Sequence, residues 1–91
     1  MRWVRLTITG RVQGVGYRMW AARQATALGI NGWVRNRADG SVELQAGGEN
    51  EVVAALIEAC WTGPRHAEVG AVTVIDAEDD GSVGFSARPT V

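Results

Sequence analysis

Residues 10–18 read Gly-Arg-Val-Gln-Gly-Val-Gly-Tyr-Arg, with three glycines set within seven residues between stretches of opposite periodicity. Before them, Val4, Leu6 and Ile8 alternate with Arg5, Thr7 and Thr9, the pattern of a half-buried strand. After them, apolar positions at 17, 20/21, 25 and 28 follow helical spacing from Tyr17 to Leu28, and Gly29 offers a C-terminal stop. The chain must therefore turn from strand to helix within a few glycine-rich residues. Glycine lets successive backbone N–H groups face one point, and a helix N-terminus adds unpaired donors and partial positive charge. Arg18, at the start of the helix, adds a fixed cation. Together these make a cradle for a tetrahedral anion such as phosphate.

The remaining elements follow in order. Gly32-Trp33-Val34-Arg35-Asn36 reads as a second strand, and Ala38-Asp39-Gly40 as a hairpin turn. Val42, Leu44 and Ala46 alternate as a third strand up to Gly47-Gly48. A second helix is expected from Asn50, read as its N-cap, with Val53, Leu56, Ile57 and Cys60 on one face and Thr62-Gly63-Pro64 as the stop. Residues 68–76 form a fourth strand, and Val83, Phe85 and Ala87 a short fifth. The order βαββαβ with a short extra C-terminal strand predicts an α+β ferredoxin-like sandwich, a mostly antiparallel sheet with two helices on one face. Residues 1–91 read as one domain, with no repeat or linker. Sheet order, which spacing does not give, decides whether Asn36 reaches the glycine loop.

Composition removes several classes of function. All nine basic residues are arginine, which excludes lysine Schiff-base chemistry and a Walker-type phosphate loop. One cysteine and one histidine cannot build a Cys/His zinc site, and the lone thiol suits a reducing, cytoplasmic compartment. No apolar run approaches the ~20 residues of a membrane span, and Met1-Arg2-Trp3-Val4-Arg5 is not a signal peptide, so no membrane partner is expected. A net charge of −1 argues against nucleic acid. The charge is divided, however: residues 1–48 carry seven arginines against Asp39 and Glu43, a net of +5, and residues 49–91 a net of −6. The glycine loop lies in the basic half, which suits an anionic ligand. Asp76, Glu78, Asp79 and Asp80 read as a solvated turn, His66 as a loop residue and Cys60 as core.

Gly10 to Arg18 closely resembles the first signature of the acylphosphatase family. Gly32 to Asn36, followed by Gly40, Val42 and Gly48, resembles the second. The resemblance continues weakly through Gly63-Pro64 to the last strand, and Tyr17 stands where the family more often has phenylalanine. It implies hydrolysis of a carboxyl–phosphate anhydride to carboxylate and inorganic phosphate, without a metal or other cofactor, on a small-molecule acyl phosphate substrate. It assigns phosphate binding to Arg18 and the loop amides, with Gln13, Gly14, Val15, Gly16 and Tyr17 as the candidate loop residues. It assigns placement of the attacking water to Asn36, and Arg18 and Asn36 are the candidate catalytic pair.

The residue chemistry agrees. A guanidinium stays charged and pairs two phosphate oxygens in a fixed fork. Phosphoryl transfer asks chiefly for positioning and electrostatic stabilisation. An asparagine carbonyl can hold a water but is a poor base. The motifs hold no carboxylate pair and no histidine to protonate a departing alkoxide, so an activated substrate is expected; an acyl phosphate leaves as a stable carboxylate. Two other readings stand beside this one. One is a non-catalytic module binding phosphate or carbamoyl phosphate, like the acylphosphatase-like domains of larger maturation proteins. The chain's end at Val91, with no zinc-motif extension, favours a free-standing enzyme over it, and a small chain with complete motifs suits a monomer. The other is an RNA-binding ferredoxin-like domain, against which the aromatic strand pattern of such domains is missing.

Overall fold

The computed structural model describes every residue from Met1 to Val91. In chain order the elements are β1 (Arg2–Arg11), α1 (Tyr17–Ala27), β2 (Asn31–Asn36), β3 (Val42–Gly48), α2 (Asn50–Thr62), β4 (Glu68–Asp76) and β5 (Phe85–Arg88). They form one five-stranded sheet in the order β4-β1-β3-β2-β5. β1 runs antiparallel to β3 and β4, and β2 antiparallel to β3, while β5 joins β2 in parallel. β1, β2 and β5 therefore point the same way, and Arg11, Asn36 and Arg88 all finish at one end of the sheet. This is the ferredoxin-like sandwich expected from the element order.

Alternation decides which face is buried. Val4, Leu6 and Ile8 of β1, Val34 of β2, and Val42, Leu44 and Ala46 of β3 are fully buried beneath the helices. From the helices, Tyr17, Ala21 and Ala25 come down from α1, and Val53, Leu56 and Cys60 from α2. Asn36 is two residues beyond Val34, so the period of two carries it to the same helix-covered face.

The opposite face has its own small cluster. Trp33 is only 3% exposed. The guanidiniums of Arg5, Arg35 and Arg88 lie 5.4, 4.7 and 4.8 Å from its ring centre, and its Nε1 donates to Asp80 at 2.9 Å. Glu43 pairs with Arg35 at 2.7 Å and Arg37 at 3.1 Å, and Gln45 accepts from Arg5. Much of the positive charge in the first half is thus engaged on this outer face. The charge asymmetry is shared between this face and the glycine loop: strand alternation sends Arg5 and Arg35 away from the helices, while Arg11 and Arg18 lie on either side of the loop.

Three expectations shift. The N-cap of α2 is Glu49, extended at φ −62° and ψ 146°, not Asn50. Asn50 is the first helical residue, and its Oδ1 accepts from Arg2 across the surface at 3.4 Å. Val83 lies outside β5 and is 95% exposed, because pairing with β2 begins only where Phe85 meets Gly32. Ile57 is half-buried, at the margin of the apolar face of α2.

Candidate active site

The glycine loop spans the gap between the end of β1 and the start of α1. Gly14 and Gly16 take φ of +74° and +78°, and a side chain at either would meet open space. Their requirement is conformational: the left-handed backbone turns consecutive N–H groups toward one side. Gly16 is the cap residue of α1, with no side-chain hydrogen bond and no acid in the first turn. No backbone N–H from Gln13 to Met19 finds an acceptor in the protein; the first N–H to do so is that of Trp20, which donates to Gly16 O at 3.0 Å. Such a run of unpaired donors at a helix N-terminus can meet the oxygens of an anion.

The side chains that frame this run divide the work. Gln13, expected among the phosphate-binding loop residues, turns its side chain elsewhere: its Nε2 donates to both Arg37 O and Ser41 O at 2.8 Å. Its side chain is committed to bracing the loop against the β2–β3 hairpin, so only its main-chain N–H remains for an anion. Tyr17 likewise offers the loop its N–H alone. Its ring is buried in the core, and its hydroxyl donates to Cys60 O at 2.6 Å. That carbonyl is among the last four of α2, which have no partner within the helix, so the hydroxyl caps α2. Burial drives the Tyr17 phenol well above its usual range, and it pushes the Cys60 thiol up to about 11.

Arg18 leaves the first turn of α1 toward the end of β5, and its Nη1 donates to Arg88 O at 3.1 Å. Arg88 sits opposite Arg35 in the parallel β2–β5 pair, one residue along β2 from Asn36. Beyond β5 the chain continues alongside β2. Val91 N donates to Asn36 O at 3.0 Å, and Ala38 N donates to Val91 O at 2.7 Å. The C-terminal segment therefore touches both sequence-predicted catalytic residues, at Arg18 through a carbonyl and at Asn36 through the main chain. Nothing in the apolar spacing of that segment announced this role; only the parallel pairing of β5 creates it.

Asn36 supplies the remaining feature. Its Oδ1 is the one buried side-chain oxygen or nitrogen without a hydrogen-bond partner. A buried orphan acceptor costs about 1–3 kcal/mol unless something meets it. No protein group holds either end of the amide, so a half-turn exchanges its oxygen and nitrogen and can present the carbonyl to a water. The hairpin beyond it is firm. Ser41 donates from Oγ at 2.6 Å and from N at 2.9 Å to Asp39 Oδ1, and the hydroxyl bond holds that carboxyl below the usual range.

Loop donors without acceptors, a guanidinium held by a main-chain carbonyl and an unpartnered amide at the end of β2 are the polar features of an α+β sandwich domain that can meet an anion at this end of the sheet. Residues 4–87 match the family model of the acylphosphatases. The chain is 48% identical over 87 residues to an acylphosphatase of Azorhizobium caulinodans, covering 94% of both chains. The solved acylphosphatase of Bacillus subtilis superposes with a TM-score of 0.93 at 34% identity, over 97% of this chain and 99% of that one. Full-length HypF, solved in its phosphate- and nucleotide-bound form, shares the fold over 12% of its length at 22% identity and a TM-score of 0.89. This chain belongs to the acylphosphatase family.

Proposed function

We propose that Arg18, the loop N–H groups and Asn36 carry the acyl-phosphate hydrolysis that membership of this family assigns to the chain. The phosphoryl group enters the loop, where the N–H groups from Gln13 to Arg18 and the Arg18 guanidinium meet its oxygens. The Asn36 carbonyl holds a water on the opposite side of phosphorus. Water oxygen bonds to phosphorus, the bond from phosphorus to the acyl oxygen breaks, and its electron pair leaves on the carboxylate. The proton of water passes to the phosphate product or to solvent. Fixed donors stabilise the charge as it spreads over the equatorial oxygens, so the site needs no strong base.

The free amide of Asn36 carries this reading: no protein group holds it, so it can turn its carbonyl to a water beside the loop. The test is turnover of benzoyl phosphate with a chelator present. Asn36→Ala is expected to lower kcat about a hundredfold while inorganic phosphate still competes. Arg18→Ala is expected to lose both turnover and phosphate competition. Unimpaired turnover in Arg18→Ala would overturn the assignment, as would an Asn36→Ala variant that loses phosphate competition and keeps kcat.

Nucleic acid is disfavoured as a partner by the same structure. Trp33, the aromatic most central to the outer sheet face, is covered by arginine side chains and tied to Asp80, so its ring offers no surface for base stacking. No helix is long and apolar enough to cross a membrane. The buried Cys60 thiol suits a reducing cytoplasm, and a site completed within one chain suits a monomer.

A further inference from the structure

Displacement at phosphorus is roughly in line, so the leaving oxygen departs on the side away from the attacking water. Asn36 lies at the end of β2, and the order β4-β1-β3-β2 puts β1 two strands away, at roughly 10 Å, with β4 beyond it. A water at Asn36 therefore sends the acyl group over the loop toward β1 and β4. A cleft of about 470 Å³ opens at that position, lined by Gly14 and Val15 of the loop, Arg11 and Glu68 from the paired ends of β1 and β4, and Arg65 and His66 from the turn before β4. The two ion pairs in the protein belong to Glu43, so neither Arg11 nor Arg65 has a carboxylate partner, not even Glu68. Neither guanidinium nor the imidazole makes a side-chain hydrogen bond to the protein. Arginines on the outer face are stacked and paired, whereas these two are left free beside the loop.

We infer that Arg11 and Arg65, with His66 beside them, form an acyl-side subsite that selects acyl phosphates whose acyl chain carries a second anionic group, such as a terminal carboxylate. The inference rests on the hydrolytic reading of Arg18 and Asn36, which sets the direction of departure. A chain ending in a carboxylate gains two cations at the cleft, against a single acid, Glu68. An uncharged chain of the same length gains nothing from them.

The test compares butanoyl phosphate with succinyl phosphate, which differ by the terminal carboxylate. At low ionic strength the wild-type protein is expected to favour succinyl phosphate roughly fivefold in kcat/KM, as suits two exposed charges, and the preference shrinks with added salt. Arg11→Gln/Arg65→Gln is expected to bring the ratio to about one. Arg23→Gln, an exposed arginine of α1 outside the cleft lining, removes the same kind of charge and is expected to keep the ratio. Equal kcat/KM for the two substrates in the wild type overturns the subsite, as does a preference that survives the double substitution or falls equally with Arg23→Gln. No turnover of either substrate would instead remove the hydrolytic reading, and the subsite with it.

Discussion

Arg18 and Arg88, seventy residues apart, meet through the Arg18 guanidinium and the Arg88 carbonyl at 3.1 Å, while the Arg88 side chain reaches the other face of the sheet to stack on Trp33. One residue thus anchors the Arg18 guanidinium with its main chain and the outer cluster with its side chain. The guanidinium is aimed by a strand that sits outside the βαββαβ unit.

Removing Thr90 and Val91 deletes the bonds to Asn36 O and from Ala38 N. Each net main-chain hydrogen bond contributes about 1 kcal/mol, so a modest loss of stability is expected. Because the same bonds fix the end of β2, kcat on benzoyl phosphate is expected to fall about tenfold. Denaturant melts and steady-state kinetics measure the two effects; full kcat after truncation would show that Asn36 does not depend on the strap.

Gly14→Ala and Gly16→Ala place a methyl in open space, so any cost comes from the backbone. A left-handed residue with a Cβ costs about 1–2 kcal/mol. Either the protein loses that stability or the loop relaxes and its N–H groups swing apart. Phosphate affinity, measured by competition, is expected to fall at least severalfold in both variants. An alanine at both positions with native stability and native phosphate affinity would contradict the cradle.

Tyr17→Phe keeps the ring and removes the donor to Cys60 O. The carbonyl is then left at a helix end without its partner, at a cost of about 1–2 kcal/mol. For a domain this small that is a drop in Tm of roughly 4–16 °C. Turnover at a temperature where the variant is folded is expected to match the wild type, since the hydroxyl points into the core. A variant as stable as the wild type would mean the hydroxyl is idle.

Stability is expected to decline above pH 9. The Cys60 thiol titrates near its ordinary 9.0 when unfolded and near 11 when folded. Between these values the unfolded chain has released a proton that the folded chain keeps, so unfolding becomes more favourable as pH rises. The contribution is complete below pH 9 and lost by about pH 11, and the buried Tyr17 phenol acts in the same direction from its ordinary 10.0 upward. Cys60→Ala should flatten the decline between pH 9 and 11 in denaturant titrations. An undiminished slope in that variant would assign the alkaline loss elsewhere.

The strand, loop and helix from Val4 to Leu28 were legible because each has a local cause: alternation, left-handed glycine and 3.6-residue spacing. Arg18 and Asn36 were legible only as members of two signatures, since an arginine in a first helical turn and an asparagine before a hairpin are common in themselves. Gln13 shows the limit. Its position in the loop is compatible with a phosphate ligand or with a residue that only hydrogen-bonds the loop, and its side chain is a brace, because its acceptors belong to Arg37 and Ser41.

The order of elements and the unpaired donors of the loop follow from sequence alone, because neighbouring residues dictate both. Tertiary structure decided what faces the loop. Parallel pairing of β5 with β2 brought the Arg88 carbonyl to Arg18 and Val91 to Asn36, and the placement of β4 beside β1 brought Arg65 to Arg11. The pairing of distant strands depends on how whole faces bury together, and no short window of sequence contains that information.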